Sequence, residues 1–343
     1  MNVLIDKRYE LSSADFKENL RKLGQLDSLV SAGTVLIKPN FAAGSYIAAD
    51  SHVVSDLSFL RIIVEHIRYL NQDAEIMIAE SDSTGYGFAF LKFENLGIDK
   101  WNIPGVTFLD LSRDRLKRIE HPRSRYFNTI DRQLWLSETL LNADYILSAA
   151  NLKSHSVTRF TGACKNLFGL LPTMNKEQYH TEIHDIIHDL TLAVKVDLSI
   201  VDGFYALEQN GPVQGFPVDL GYRVFSTSPV VADITCCNAI GLNFRQVGYL
   251  KLLGSTVDIR PDEKNIMGIR RRIAPPTFWL RFFNAFGLLI QALGRNIYLT
   301  GHRIHCADSP LNFIITLMRP LLLRFFDRDT LKKWKKRLLR SNE

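Results

Sequence analysis

The segment at 144–171, DYILSAANLKSHSVTRFTGACKNLFGLL, brings together residues that could perform chemistry. It opens with an apolar run at 145–147, which predicts a buried strand, and the run is followed by Lys153, His155 and Arg159. Burying an unpaired cation is costly, so we expect these side chains to line a solvent-filled cleft at the end of the strand. Binding sites usually lie on loops at such strand ends. The alternative is a basic loop with no function beyond solvation.

His155 is the candidate for proton transfer because Lys153 lies close to it in the sequence. A nearby positive charge favours the neutral imidazole, which can accept a proton near neutral pH. Carboxylates elsewhere in the chain could assist this acid–base chemistry or bind a divalent cation. The candidate catalytic residues are therefore His155, Lys153, Glu80, Asp82 and Asp202.

A second group of polar residues could bind the substrate. Lysines would hold its negative groups, asparagines would orient it, and the backbone N–H groups at 161–163 could bind an anion before a helix predicted at 165–171. The alternative for this last segment is a capped helix with an exposed lysine. Neither G-x-G-x-x-G after a strand nor G-x-x-x-x-G-K-[ST] occurs, so nucleotide binding has no support in the sequence. The candidate substrate-binding residues are Lys38, Asn40, Thr161, Gly162, Lys165 and Asn166.

Three histidines recur every four residues in a helix predicted at 180–195, namely His180, His184 and His188. A histidine pair at this spacing can bind a metal, and His180 with His184 is the candidate pair. A third ligand is not visible at a fixed spacing. The alternative is that these histidines form hydrogen bonds at the edge of the apolar face. The cofactor is therefore unknown, and a divalent metal is one hypothesis.

The four cysteines are Cys164, Cys236, Cys237 and Cys306. Their spacing matches neither a disulfide framework nor a zinc or iron–sulfur site, so we expect reduced thiols and no intrinsic iron–sulfur cluster. The opening residues MNVLIDKRYE do not resemble a signal peptide. These features predict a cytoplasmic protein, with peripheral association at the inner face of the membrane as a further option.

Hydrophobic periodicity predicts an α/β fold. A helix at 55–70 lies between strands at 34–37 and 75–79, which indicates a parallel strand–helix–strand unit. A glycine-punctuated segment at 83–105 is predicted to be irregular, and 112–128 to be exposed and basic. Further helices are predicted at 13–23, 134–141 and 229–240, and further strands at 106–111, 144–149, 198–201 and 222–225. Together these elements predict a largely parallel sheet flanked by helices.

Polar residues follow four of the predicted strands, at Lys38/Asn40, Glu80/Asp82, Lys153/His155 and Asp202. The carboxyl ends of parallel strands lie at one edge of a sheet, where open α/β folds bind ligands. We therefore expect these side chains to meet in one site. The alternative is that polar residues only mark the strand ends and stay apart in solvent.

Several motifs resemble one known family. They are KPN at 38–40, LKSHSVTRFTGACKNLFGLLP at 152–172, His180, VDG at 201–203, GPVQG at 211–215 and the predicted helix around Asp233. Over about residues 34–250 the chain resembles the domain of unknown function 362. The resemblance implies a cytoplasmic α/β domain whose polar motifs gather at one site. Some members carry a ferredoxin-like module with two four-iron clusters, and this chain has no such cysteine array. The resemblance does not identify a reaction.

The C-terminal region differs from the rest of the chain in charge. Residues 270–343 contain 15 Lys and Arg against 4 Asp and Glu, whereas residues 1–269 contain 27 against 32. Arg281 and Arg319 interrupt the apolar stretches, so neither has the ~20 uninterrupted apolar residues of a membrane-spanning helix. Basic residues beside aromatic ones are typical of a segment lying on an anionic membrane.

Two other interpretations of the C-terminal region stay open. One is a helical subdomain packed on the sheet, and the other is nucleic-acid binding, for which no recognised motif is present. In each case we predict an α/β domain at 1–265, which carries the site, and a helical, basic and aromatic region at 266–343.

These features together predict an enzyme acting on a small carboxylated or phosphorylated anion. The reaction would be proton transfer, as in an isomerase or lyase, or reduction with an external donor. The alternative is a non-catalytic protein that docks on a membrane surface or a partner through its basic C-terminal region. The sequence leaves the substrate and the oligomeric state open.

Overall fold

The computed structural model describes residues 3–42, 48, 51–83, 87–209, 211–213, 215–254 and 272–275. All of them belong to one compact unit, which spans Met1–Ala285. The predicted boundary at 265/266 and nearly all of the predicted C-terminal region lie outside the described residues.

The described residues alternate between strands and helices. The strands are β1 Val3–Asp6, β2 Thr34–Pro39, β3 Glu75–Glu80, β4 Val106–Asp110, β5 Leu116–Ile119, β6 Leu134–Ser137, β7 Tyr145–His155, β8 Arg159–Thr161, β9 Leu198–Glu208, β10 Phe216–Val218 and β11 Arg223–Ser226. The α-helices are α1 Ser13–Leu23, α2 Leu26–Val30, α3 Leu57–Leu70, α4 Ala89–Asn95, α5 Glu138–Asn142, α6 Ala163–Asn166, α7 Ile183–Ala193, α8 Pro229–Ala239 and α9 Gly248–Leu253. Short 3-10 helices cover Ile98–Lys100, Leu167–Leu170, Lys176–Glu182 and Phe244–Gln246.

A nine-stranded sheet organises these elements, in the order β1-β11-β9-β7-β2-β3-β4, with β8 paired to β7 and β10 paired to β9. The five strands β9, β7, β2, β3 and β4 run parallel to one another. β11 and β1 add antiparallel pairs at one side, where Val3 lies opposite Ser226. β5 and β6 form a separate two-stranded sheet. The predicted α/β fold with a largely parallel sheet is confirmed.

Helices cover both faces of the sheet because alternate strand residues are apolar on each side. In β2, Val35 and Ile37 pack in the core beneath α1–α4, whereas Leu36 packs in the core beneath α6–α9. Local signals fix the helix ends. Ser12 and Asp15 form a capping box at the start of α1, and Gly24 ends that helix at φ 68°.

Several predicted elements differ from the structure. The helix expected at 134–141 is strand β6 followed by the short helix α5, because its apolar residues pair with β5. The segment at 83–105, expected to be irregular, contains α4, and the exposed segment at 112–128 contains β5. The helix predicted at 180–195 begins as a 3-10 helix and becomes α-helical only at Ile183.

Candidate functional site

Lys38 and Glu80 meet at the carboxyl ends of two neighbouring parallel strands. β2 and β3 are in register at Ile37 and Ile78, so the residues that follow reach the same edge. Lys38 Nζ lies 3.1 Å from Glu80 Oε2, and both side chains are buried. This pair has the convergent geometry that the sequence predicts for these two residues.

Two further lysines, Lys92 and Lys176, complete a cluster around Glu80. Lys92 Nζ lies 3.8 Å from Glu80 Oε1. Burial alone would raise the pKa of Glu80, but the charges of Lys38, Lys92 and Lys176 lower it from 4.5 to about 2. Three buried lysines therefore share the negative charge of one carboxylate. We call Lys38, Glu80, Lys92 and Lys176 the Glu80 cluster.

The lysines of the Glu80 cluster donate most of their hydrogen bonds to uncharged oxygens. Lys38 Nζ donates to Pro39 O and Lys92 Nζ donates to Ser81 O, each at 2.7 Å. Lys176 Nζ donates to Ser81 Oγ and to Asp82 O. Burial, together with the charges of Lys38 and Lys92, lowers the pKa of Lys176 to about 7 although Glu80 raises it.

Lys92 and Lys176 are not among the site residues predicted from the sequence. Lys92 lies on the apolar face of α4 with Ala89, Phe93 and Leu96, and a lysine at such a position requires a buried partner. That signal was available in the sequence. Lys176 lies in a short 3-10 helix, and no periodic pattern marks it.

The carboxylate of Asp82 serves a different purpose from its predicted catalytic role. Its Oδ1 accepts a hydrogen bond from the backbone N–H of Ala89, the first residue of α4, at 2.8 Å. A carboxylate at this position stabilises the start of a helix. Asp82 thus positions α4, and with it Lys92.

Lys153 lies inside strand β7, which continues to His155 and does not end at 149. Its side chain is fully buried, so the predicted solvent-filled cleft is wrong for this residue. Lys153 Nζ donates to Asn40 Oδ1 at 3.2 Å and to the carbonyl of Val53. These bonds hold the loop before α3 against β7. Burial, with the charge of Lys165, lowers the pKa of Lys153 to about 7.

Backbone hydrogen bonds occupy one ring nitrogen of His155, and the ring is neutral, as the sequence predicts. Its Nδ1 accepts from the backbone N–H groups of Val157 and Thr158, at 3.1 and 3.3 Å. Burial and then the charge of Lys165 lower the pKa of His155 well below 6.5, so the ring is neutral. A neutral imidazole that accepts at Nδ1 carries its proton on Nε2.

Basic side chains surround His155. After burial, the causes of its lowered pKa are, in order, the charges of Lys165, His180, Lys153 and His184. Burial lowers the pKa of Lys165 to about 8, and its ammonium lies 5.8 Å from the ring centre of Phe168. We call Lys153, His155, Lys165, His180 and His184 the Lys165 site.

Thr161 lies opposite Lys153 in the β7–β8 pair. Its Oγ1 is buried and has no hydrogen-bond partner among the described residues. A buried hydroxyl without a partner is costly, so the Thr161 hydroxyl keeps an unused capacity for a hydrogen bond, and substrate binding by Thr161 stays a prediction.

One of the backbone N–H groups that were expected to bind an anion at 161–163, that of Ala163, is already occupied, and so is the next one along the chain. Ala163 N donates to Asp233 Oδ1 at 2.5 Å, and Cys164 N donates to Asp233 Oδ2 at 3.0 Å. Gly162 permits this approach, because a Cβ atom there would lie 2.2 Å from Asp233 Oδ1. An internal carboxylate therefore fills the position predicted for the substrate.

Two other predicted substrate-binding residues have structural partners. Asn166 Nδ2 donates to Lys38 O at 2.9 Å and to Ser148 Oγ at 3.1 Å, which ties α6 to β2 and β7. Asn40 accepts from Lys153, and its backbone N–H donates to Ser55 Oγ at 2.8 Å. Both asparagines position the lysines and not, in this geometry, a substrate.

The predicted metal pair is separated by a change of helix type. His180 lies on the 3-10 helix and packs edge-on against Phe168, whereas His184 lies on α7. His184 Nδ1 accepts from the backbone N–H of Tyr249 at 3.2 Å. Among the described residues, no group of three or more His, Cys, Asp and Glu side chains could hold a metal ion.

Asp202 stands apart from the other candidate residues. It lies mid-strand in β9, and its Oδ1 is 3.3 Å from Arg223 Nε. The Arg223 guanidinium stacks between the rings of Phe59 and Phe204, at 3.7 and 4.3 Å. Burial raises the pKa of Asp202, although Arg223 opposes this. No contact between described residues joins Asp202 to Glu80 or Lys38, so its predicted catalytic role lacks the expected geometry.

Sequence comparisons bear on the family and on localisation. The model of the domain of unknown function (DUF362) matches residues 35–238, more than half of the chain. The Thylakoid-associated protein sll1697 of Synechocystis sp. is 29% identical over 251 residues, which cover 68% of this chain and 74% of that protein. Across the residues that the structure describes, every helix is too short or too polar to traverse a bilayer.

Among solved structures, the lactate racemase apoprotein from Thermoanaerobacterium thermosaccharolyticum is similar at 16% identity and a TM-score of 0.43. The similarity covers 67% of this chain and 55% of that one, so the chain spans little more than half the length of that racemase. The match over residues 35–238 confirms the resemblance that the motifs predict: the chain belongs to the domain of unknown function (DUF362) family.

Proposed function

We propose that this protein is an enzyme that binds a small carboxylated or phosphorylated anion at the Lys165 site. The observation that carries the proposal is that Lys153 and Lys165, both close to His155, have no carboxylate partner among the described residues. Lys153 donates only to neutral oxygens, and Lys165 contacts an aromatic ring. Within the described chain, no carboxylate pairs with either lysine. A bound anion would supply the missing negative charge.

The side chains of the Lys165 site can hold such an anion and move a proton. The Nε2–H of His155 would donate to an anion oxygen, and Lys165 would add charge. Lys153 has a pKa of about 7, so both of its protonation states are populated near neutral pH. Lys153 is therefore the proposed proton carrier, and proton transfer is the proposed reaction class. Reduction with an external donor is the alternative.

Phosphate binding to Lys165→Met, measured by titration calorimetry, tests the binding step. We expect affinity to fall about tenfold or more, as when one charged hydrogen-bonding partner is lost. The control is Lys195→Met. The Lys195 side chain is 87% exposed, and its ion pair is with Asp197, which is not part of the Lys165 site. If Lys165→Met binds phosphate as the parent protein does, the proposed site is wrong.

Hydrogen exchange in D₂O tests the catalytic step. Small 2-hydroxy acids, 2-oxo acids and sugar phosphates would be incubated with the protein, and loss of their C–H signals followed by proton NMR. We expect one class to exchange, and both Lys153→Met, which removes the proposed proton carrier, and His155→Gln, which removes an anion contact, to abolish the exchange. If no class exchanges but phosphate still binds, the protein is a binding protein and the enzyme proposal fails.

We also propose peripheral binding to an anionic membrane through residues 270–343. The basic and aromatic sequence of this region supports it, as does a relative that is described as thylakoid-associated. The test is flotation with vesicles that contain or lack acidic lipid. Reversing the charge of Lys332, Lys333, Lys335 and Lys336 to Glu should abolish flotation with acidic vesicles. Unchanged flotation would contradict the membrane proposal.

A further inference from the structure

A buried carboxylate from one helix holds the start of another. Asp233 of α8 is fully buried and accepts the backbone N–H groups of Ala163 and Cys164, the first two residues of α6. α6 carries Lys165 and Asn166. We propose that Asp233 is a positioning residue, which fixes α6 so that the Lys165 side chain faces the anion bound at the Lys165 site. This inference rests on the function proposed above.

Close packing around Asp233 restricts the start of α6. A Cβ atom on Gly162 would lie 2.2 Å from Asp233 Oδ1 and 2.8 Å from the ring of Phe160. Asp233 itself lies within α8, whose start is fixed by Pro229 and by the Ser228 cap. The position of Lys165 therefore depends on contacts that run through Asp233.

The environment of Asp233 indicates a role beyond stability. The titratable groups that face it are Cys164, Cys236, Cys237 and Tyr249, and burial raises each of their pKa values, so all four are neutral. No cation faces Asp233 among the described residues. Burying a carboxylate without a cation is unfavourable, and groups with strongly perturbed pKa values are concentrated at functional sites.

The titration of Asp233 gives the positioning role a distinct pH signature. Burial raises the pKa of Asp233 to about 7, although the hydrogen bonds from the backbone N–H groups of Cys164 and Ala163 oppose this rise. Above that pH the carboxylate accepts both N–H groups, and below it one oxygen carries a proton. Anion affinity should therefore fall as the pH drops below 7. The lysines and histidines of the site predict the opposite trend, because they gain positive charge.

Sulfate binding to the full chain tests the inference, because sulfate stays a dianion between about pH 6 and 8.5. The ratio of wild-type to Asp233→Asn affinity isolates Asp233, because both proteins share the lysines and histidines of the site. Asp233→Asn should bind about tenfold more weakly than the wild type near pH 7.5, as expected for a charged hydrogen bond, and the difference should shrink near pH 6, where Asp233 is protonated. The matched control is Asp189→Asn, since Asp189 is also buried and accepts three backbone N–H groups, from Arg125, Tyr126 and Phe127.

A second measurement separates this inference from the proposed function. The rate at which an amine-acetylating reagent labels Lys165, read by mass spectrometry against exposed Lys195, reports the position of α6 without any ligand. Asp233→Asn and Gly162→Ala should both change this rate, and Asp189→Asn should not. If wild type does not bind sulfate but the rates change, the proposed function fails and the positioning role stands. If neither variant changes the rate, the positioning role is wrong.

Discussion

Lys38 and Glu80 join two adjacent parallel strands through a buried ion pair whose Nζ–Oε2 distance is 3.1 Å. The pair lies where β2 and β3 end, and Lys92 and Lys176 share the same carboxylate. Because the buried Glu80 carboxylate is shared by several lysines, its removal should destabilise this edge of the sheet.

Glu80→Gln should destabilise the protein by about 3–5 kcal/mol, the range for breaking a buried ion pair from one side. The substitution leaves the lysines without their carboxylate. Urea-induced unfolding at neutral pH measures the change. The control is Glu65→Gln, which removes an exposed pair with Arg61 at 2.8 Å and should cost less than about 0.5 kcal/mol. Equal losses in both variants would contradict the role given to Glu80.

The stability contributed by Glu80 should depend on pH in a defined window. Its pKa in the folded state is about 2, lower than the ordinary value of 4.5, so the folded state binds this proton more weakly than the unfolded state. The contribution is therefore complete above pH 4.5 and is lost as the pH falls toward 2. Acid unfolding curves of the wild type and Glu80→Gln should converge in this window. Parallel curves would exclude the linkage.

Lys176→Met should change how the free energy of unfolding depends on pH above neutrality. Burial lowers the pKa of Lys176 from 10.5 to about 7, so the unfolded chain retains a proton that the folded protein has lost. Wild-type stability should consequently rise between about pH 7 and pH 9, and this rise should be smaller in Lys176→Met. Urea unfolding at both pH values measures it. Lys195→Met should keep the wild-type slope.

Lys153→Met and Lys165→Met should separate stability from binding. Removing Lys153 leaves Asn40 Oδ1 and the Val53 carbonyl without their donor, which should cost about 1–3 kcal/mol. Lys165 donates no hydrogen bond to a described residue, so its loss should affect stability less and anion affinity more. Thermal melting and phosphate titration on both variants measure the two effects. The reverse order of stability losses would contradict these contacts.

Arg223→Lys should destabilise the protein by about 2 kcal/mol even though the charge is kept, because a planar, stacked guanidinium is not replaced by an ammonium. Arg223 Nη1 donates to the carbonyls of Arg8 and Tyr9, both at 3.0 Å, while the group stacks on Phe59 and Phe204. The exposed Arg21→Lys provides the matched control. A neutral result for Arg223→Lys would exclude the stacking argument.

Local chemistry allowed much of the fold to be predicted. A serine cap and the apolar spacing of α1 give its bounds, and the run at 34–37 gives β2, which the structure extends to Pro39. Strand β7 was predicted too short, because ANLKSH has the composition of a loop. Pairing with β8 and β9 overrides that local preference, as is common for strands.

The candidate site was harder to predict than the fold. Lys38 and Glu80 were placed together correctly because their strands are parallel neighbours. The link between Asp233 and α6 joins residues about 70 positions apart in the chain, and it occupies one of the amides expected to bind an anion. Whether Lys153 lies in solvent or in the protein interior depends on such distant contacts, which periodicity does not report.

The pairing of β1 with β11 constrains the order in which the chain can assemble. Residues 3–6 are synthesised long before their sheet partners at 223–226. During synthesis the parallel strands and their helices can therefore collapse while β1 is still unpaired. β1 can join the sheet only once β11 has been made, so pairing along this side of the sheet waits for residues more than two hundred positions away.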